Sequence, residues 1–344
     1  MSKETILSVR NLNVKFNLRG KVLHAIRDIS LEIYEGESIA IVGESGCGKS
    51  VFTKTFMGLL DRNGFIDTGE IFYKGTNLAS LVKEKDWLKI RGKEIAMVLQ
   101  DPMTSLNPLK TIGSQIAEAV SMHQGLQGDA KKAATLEILK DVGITDPKRR
   151  YKQYPHEFSG GMRQRVVIAI AIACRPKILI CDEPTTALDV TIQAQILELL
   201  KNLKKKFDLT TVYITHDLGV VANVADRIAV MYAGDIVELG TSEEIFYDPK
   251  HPYTWALLSS LPQLGVKGEE LFSIRGTPPN LFLPVKGDAF APRNPMALKI
   301  DFLKRPPYFE VTDTHKVRSW LLDERAPKIE PPEHIKKLRM QGGI

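Results

Sequence analysis

Apolar and polar side chains alternate in short runs through the first forty or so residues, LSVRNLNVKF and then DISLEI, with a Gly-Lys turn between them. A period of two puts one face of a strand in a core and the other in water, so this segment predicts antiparallel strands. Ser38–Val42, SIAIV, lacks that alternation and reads as a short strand buried on both faces; a glycine-rich turn follows it, and from Lys49 onward a helix. A second sheet-like stretch, GEIFYKG, covers 69–75. From about 112 to 154 the spacing turns helical, with apolar residues such as Ile116, Ala119 and Val120, and this middle block reads as a helical insertion.

Three further apolar runs, 177–181, 211–215 and 227–231, have strand length and are separated by helix-like patterns. Between the first two, Ile192, Ile196, Leu199, Leu200 and Leu203 recur at helical spacing. Strands alternating with helices imply a parallel sheet and an α/β class. The Lys-rich KNLKKKF that ends this helix reads as a solvated face rather than a nucleic-acid patch. Beyond about residue 247 proline recurs, in DPKHPY, TPPN, KRPPYF and IEPPEH, and predicts a loop-rich extension. No internal repeat is visible.

Composition narrows the class. A chain of 344 residues suits a large core with an appendage, and 43% hydrophobic with 26% charged residues is ordinary for a globular protein. The longest apolar run, 166–174, falls far short of the roughly 20 residues that span a membrane, and the N-terminus carries no export-signal pattern, so a cytosolic location is expected. Three cysteines, Cys47, Cys174 and Cys181, have no CxxC spacing, which argues against a disulfide framework or a zinc site. The formal charge of +6, from 47 basic against 41 acidic residues, is too mild an excess to choose among phosphates, acidic lipids and nucleic acid.

The chemistry is carried by short motifs. GESGCGKS at 43–50 sits between the buried strand and the predicted helix, which is the context a phosphate loop requires. Its backbone amides (Gly43, Glu44, Ser45, Gly46, Cys47, Gly48, with Val51 just beyond) converge on phosphate oxygens, Lys49 reaches the outer phosphates and Ser50 can ligate Mg²⁺. A chance glycine-rich turn is the competing reading, and the strand before GKS weighs against it. In KILICDEP, Asp182 and Glu183 fall at the C-terminal edge of a strand, where ligands of parallel sheets collect. Asp182 is placed to organise Mg²⁺ through water and Glu183 to polarise a water toward the terminal phosphate; solvated strand caps are the bland alternative. His216 ends TVYITHD and can contact the transferred phosphate from a third strand tip, although a lone histidine there is more often structural.

FSGGM at 158–162, followed by RQR, resembles the signature motif that distinguishes ABC ATPases from other phosphate-loop proteins. The resemblance implies a phosphate-loop (RecA-like) core with an antiparallel β subdomain, a helical signature subdomain at about 101–165, an ATPase domain over 1–250 and an extension over 251–344. It implies that Ser159, Gly160, Gly161 and Met162 cover the ATP held by an opposing subunit. Gln100 in VLQDP is similar to the Q-loop, which senses the γ-phosphate and the membrane partner and is counted among the catalytic and Mg²⁺ groups. Asp189 in ALD is similar to the D-loop, His216 to the switch histidine, and Phe16 to the early aromatic that stacks on adenine, with a sheet-face phenylalanine as the alternative.

Longer stretches, VLQDPMTSLNP, HDLGVVANVADRIAVMYAGDIVELG and HPYTWALLSSLP, resemble the D-type ATP-binding subunits of oligopeptide and dipeptide importers. That likeness implies ATP and Mg²⁺ as ligands and a peripheral position on the cytoplasmic face of the membrane. The implied partners are a second homologous ATPase subunit forming a heterodimer, two transmembrane permease subunits and an extracytoplasmic substrate-binding protein, with no nucleic acid. The same motor could serve nickel or another small solute. A soluble ABC protein acting on nucleic acid or ribosomes is remote, since one phosphate loop occurs and no heptad run, and a non-hydrolysing binder fits poorly with Lys49, Asp182, Glu183 and His216 together.

Members of this group often carry four cysteines in the extension that hold an iron–sulfur cluster. The matching positions here are Asp288, Asn294, Asp301 and Ser319, none of which supplies the thiolate such clusters require, so no cluster is expected. The extension is then expected to be held by packing, with Phe290, Phe302, Tyr308, Phe309 and Trp320 as anchors and Arg293 pairing with Asp288 or Asp301.

Overall fold

The structure, a computed structural model, describes residues 4–186, 188–261 and 274–333, together with 335, 336 and 338. In chain order the elements are β1 (Thr5–Leu18), β2 (Lys21–Tyr34), β3 (Ser38–Val42), α1 (Lys49–Lys54), β4 (Gly64–Tyr73), β5 (Thr76–Asn77), α2 (Glu84–Ile90), β6 (Ile95–Val98) and α3 (Pro102–Ser105). There follow α4 (Ile112–Gln124), α5 (Gly128–Asp141), α6 (Pro147–Arg150), α7 (Gly160–Ala173), β7 (Ile178–Asp182), α8 (Val190–Phe207) and β8 (Thr210–Thr215). The remainder is α9 (Leu218–Val221), β9 (Arg227–Tyr232), β10 (Asp235–Thr241), α10 (Ser242–Tyr247), α11 (Pro252–Ser259), β11 (Phe309–Glu310) and β12 (Lys316–Val317).

Two compact units form from interleaved segments. The first comprises Met1–Glu4, Tyr34–Ser38 and Leu81–Ile214, the second Thr5–Ile33, Ile39–Ser80 and Thr215–Ile344. In the first unit β6, β7 and β8 pair in parallel, Ile95 opposite Ile178 and Ile178 opposite Thr210. Every residue of β7 and β8 is buried, as strands covered on both faces must be. α7 matches the longest apolar run: Val166, Ile168, Ala169, Ile172 and Ala173 are all at most 2% exposed, so the helix is apolar around most of its circumference because it is enclosed. α8 is the opposite case, burying Ile196, Leu199, Leu200 and Leu203 while Lys204, Lys205 and Lys206 complete its last turn, where cations suit the helix dipole.

The second unit holds two sheets. The antiparallel one has the order β2-β1-β4-β5, with Leu7 opposite Tyr73 and Phe16 opposite Gly64. Its register slips around Asn13, next to the left-handed Asn11. In the other sheet β3 pairs in parallel with β9, β9 antiparallel with β10, and β10 antiparallel with β12, which closes a hairpin with β11.

The proline-rich segment is more regular than its composition predicts. Pro252 stands in the first turn of α11 with His251 as the cap, the one helical position where a missing N–H costs nothing. The hairpin β11–β12 adds edge strands through Glu238 opposite Val317 and Leu239 opposite Lys316. Phe290 and Trp320 are buried, the Trp320 indole donates to the Lys304 carbonyl at 2.7 Å, and the Tyr308 hydroxyl donates to the Ile236 carbonyl at 2.8 Å. Phe302 is not an anchor: it is 53% exposed, because the 3-10 turn Lys299–Phe302 buries Asp301 instead. Arg305 adds a polar tie, reaching Asp235 and Asp28 at 2.8 and 2.9 Å. Among the described residues, no helix is long and apolar enough to cross a membrane.

Candidate functional site

The glycine-rich loop lies in the second unit, at the C-terminal end of β3. Gly43 has no alternative: a Cβ there would stand 2.1 Å from the Met231 carbonyl oxygen. Gly48 has φ +106, and its Cβ would meet the Ala25 carbonyl at 3.0 Å, so the turn into α1 also demands glycine. The loop is tied down by Gly234 N–H donating to the Cys47 carbonyl at 2.8 Å. Ser45 and Gly46 are exposed at its tip, and Ser50 and Val51 lie half-buried in the first turn of α1. Lys49 is 5% exposed, its ammonium donating to the carbonyls of Gly43 at 2.7 Å and Glu44 at 3.0 Å. A cation held inside the ring of the loop is placed to meet an anion that the loop encloses. Burial pushes the Cys47 thiol up despite Lys49, so it stays protonated.

Glu44 is held by two residues far along the chain. Its N–H donates to the Tyr253 hydroxyl at 2.8 Å, and its carboxylate takes a bidentate pair from Arg293, Nη1 to Oε2 at 2.6 Å and Nη2 to Oε1 at 3.0 Å. Arg293 therefore does not pair with Asp288 or Asp301 as expected. Those carboxylates are turned to local backbone: Asp288 Oδ1 accepts from Phe290 N–H at 2.9 Å and Asp301 Oδ2 from Leu298 N–H at 2.6 Å. Asn294 and Ser319 act likewise, accepting from Met296 and Leu321 amides. Burial raises Asp288 to about 7 and raises Asp301 as well. Among the described residues, no group of three or more His, Cys, Asp and Glu is arranged to hold a metal ion.

Phe16 is 8% exposed, and its ring lies across Gly64 so closely that a Cβ there would stand 2.5 Å from Cε1.

The first unit carries the carboxylates. Asp182 ends β7 at 4% exposure. Glu183 follows with φ 45, a left-handed conformation that only a few per cent of non-glycine residues adopt and that swings its side chain off the strand's alternation. Its carboxylate accepts from Gln100 Nε2 at 2.8 Å and from the Thr186 hydroxyl at 2.9 Å. The sequence brought Gln100 and Glu183 forward separately; the structure joins them. Thr186 carries no motif signal of its own beyond its place three residues after Glu183.

Ser159 caps α7, its hydroxyl accepting from Met162 N–H at 3.4 Å, with Ser159 and Gly160 exposed and Phe158 buried beneath them. Gly161 is pressed against α8, where a Cβ would stand 2.7 Å from Ile192 Cγ2. Asp189 caps α8 by accepting from Ile192 N–H at 3.0 Å, so signature and D-loop segments share one packed corner. Ala187 lies outside the described residues. His216, in the second unit, is exposed immediately beyond β8 and precedes Asp217, which caps α9.

Residues 26–186 match the ABC transporter family and 237–300 match the oligopeptide/dipeptide transporter C-terminal region. The oligopeptide transport ATP-binding protein AmiE of Streptococcus pneumoniae is 58% identical over 336 residues, covering 98% of this chain and 95% of that protein. The chain belongs to the ATP-binding proteins of oligopeptide/dipeptide ABC transporters. Within this ABC family, OppD of Bacillus subtilis is 57% identical, covering 96% and 93% of the two chains, and the dipeptide transport protein DppD of Lactococcus lactis 56%, covering 97% and 96%. Among solved structures, the dimeric ATP-binding cassette MJ0796 in a post-hydrolysis state with ADP and Pi superposes with a TM-score of 0.61 at 28% identity, over 69% of this chain and 98% of that one. The chain thus has the α/β ABC ATPase fold that its motifs predict, and is an ATP-binding, ATP-hydrolysing motor subunit. Tyr253, within HPYTWALLSSLP, and Arg293, expected to pair inside the extension, are loop-holding residues of this ABC ATPase, a role that sequence reasoning gave to neither.

Proposed function

We propose that this ABC subunit energises uptake of oligopeptides or dipeptides from the cytoplasmic face of the membrane, paired with a homologous second ATPase beneath two permease subunits and supplied by an extracytoplasmic binding protein. The support for peptide cargo is that the 56–58% identical relatives are oligopeptide and dipeptide transport proteins. In this reading the amides of residues 45–48 and Lys49 hold the phosphates, the Glu44 amide being given to Tyr253, while Glu183 polarises the attacking water, His216 contacts the transferred phosphate, and Gln100 links nucleotide state to the permease. Ser159, Gly160, Gly161 and Met162 present a helix N-terminus to ATP on the opposing subunit, and Asp189 lies at the same junction. Phe16, packed against Gly64 of β4, is carried forward as the residue that stacks on adenine.

Ser50, Gln100 and Asp182, the residues assigned to Mg²⁺, offer hard oxygen donors of the kind it takes. When bound it neutralises charge on the β- and γ-phosphates. The observation that carries the hydrolytic reading is Glu183, held off its strand at φ 45 with its carboxylate fixed by Gln100 and Thr186. The test is reconstitution of the complete transporter in vesicles, measuring ATP hydrolysis and uptake of labelled peptides. Stimulation by peptide-loaded binding protein is expected. Hydrolysis that responds to nickel and not to peptide would overturn the cargo.

A further inference from the structure

A carboxylate inside a phosphate loop is an electrostatic problem. Glu44 is the second residue of the loop, and the neighbouring amides of residues 45–48 and the ammonium of Lys49 converge where a polyphosphate would sit. An uncompensated negative charge there repels the ligand, and more strongly in a partly buried site than in water. The structure supplies compensation from the C-terminal extension. Arg293 has its side chain 4% exposed and Glu44 25%, and the fork-to-fork pair between them has both contacts at or below 3.0 Å.

The guanidinium is itself fixed. Its Nε donates to the Arg275 carbonyl at 3.0 Å, Nη2 to the Ile274 carbonyl at 3.3 Å and Nη1 to the Tyr232 hydroxyl at 3.1 Å. Tyr232 packs against Tyr253 with centroids 4.6 Å apart, and Tyr253 accepts the Glu44 amide proton, so both ends of Glu44 rest on one aromatic cluster completed by Phe290. All of these residues lie in the second unit.

We infer that Arg293 is a positioning residue for nucleotide binding: it neutralises the carboxylate of Glu44, whose backbone amide Tyr253 holds, so that the phosphate loop accepts a polyanion. The inference rests on the reading of residues 43–50 as the ATP-holding loop. Arg293 does not touch the nucleotide in this scheme; it acts through Glu44. Removing it leaves a charge without its partner, and removing both charges restores neutrality even though the extension's contacts through Arg293 remain lost. That difference separates an electrostatic role from a merely structural one.

The experiment uses the full chain with MgATP and MgADP for equilibrium binding, and the complete transporter for kinetics. Arg293→Ala is expected to weaken MgATP binding about tenfold, less than breaking a fully buried ion pair costs because Glu44 is partly exposed and acts on the ligand at second hand, and to weaken MgADP binding less because it carries less charge. In the transporter KM for ATP rises while kcat at saturating ATP is largely kept. Glu44→Gln combined with Arg293→Ala returns binding to within about threefold of the unaltered chain, and Arg293→Lys falls between, since an ammonium cannot reproduce the bidentate fork. Unchanged MgATP binding in Arg293→Ala, or a defect that Glu44→Gln does not relieve, overturns the inference. Lys49→Ala is the control: if it too leaves binding unchanged, the loop reading fails, whereas a defect in Lys49→Ala with none in Arg293→Ala condemns the clamp alone.

Discussion

Glu183 and Gln100 are 83 positions apart, yet one hydrogen bond of 2.8 Å ties the amide to the carboxylate. Glu183→Gln keeps the shape and removes the charge that draws a proton from water. Hydrolysis by the complete transporter is expected to slow by at least two orders of magnitude, within the usual range for loss of a general base, with ATP binding retained and the closed dimer favoured. Near-normal turnover would contradict the assignment. Asp288 gives a second test through pH. Burial raises its folded pKa to about 7, above the ordinary carboxylate value, so the folded state binds a proton before the unfolded chain does. Its contribution is therefore most favourable at low pH and is lost as pH rises through about 7. Asp288→Asn, neutral throughout, should raise Tm relative to the unaltered chain more at pH 8 than at pH 5, the advantage vanishing only below the ordinary carboxylate value of 3.8. An equal difference at both pH values would show that Asp288 does not titrate as described. At this scale the motif residues were legible because each identity reports its chemistry, while the partner of Arg293 was misassigned because acidic residues nearby in sequence are turned to their own backbone.

Elements were legible wherever one period ran long enough. The alternation in β1 and β2 announced itself because one face of each strand is covered, whereas the apolar run in α7, enclosed nearly all round, shows no period and was read only as too short to span a membrane. Two features were not legible. β6 is four residues long beside charged Lys93 and Glu94, too short for a period to show. α11 was concealed by Pro252, which reads as a breaker until its place in the first turn is known. The hairpin β11–β12 depends on Val317, fully buried against β10. Val317→Asp places a charge there without a partner and is expected to cost about 3 kcal/mol or more. Limited proteolysis should leave residues 280–322 intact in the unaltered chain and cut them rapidly in the variant. Rapid cutting of both would mean that the hairpin does not hold the extension.

At the scale of the whole molecule, the exposed Ser159 and Gly160 predict that the purified chain is mostly monomeric and a poor ATPase, gaining activity only with its homologous partner. Strong hydrolysis independent of concentration would contradict shared sites. Anaerobically purified protein is expected to contain no iron or acid-labile sulfide, because Asp288, Asn294, Asp301 and Ser319 offer no thiolate; stoichiometric iron would overturn that expectation. The amino-acid sequence by itself determined the ATPase chemistry and the α/β class. A phosphate loop, a strand-end carboxylate pair and a helix-capping signature are each contiguous in the chain, so local spacing is enough to specify them. Only the tertiary structure decided what supports the loop. Residues 251–293 read as part of an appendage, yet Tyr253 and Arg293 hold Glu44 from 209 and 249 positions away. The reason is physical: a hydrogen bond or ion pair is specified by position in space, and two side chains that distant along the chain share no periodicity or spacing that could announce their meeting.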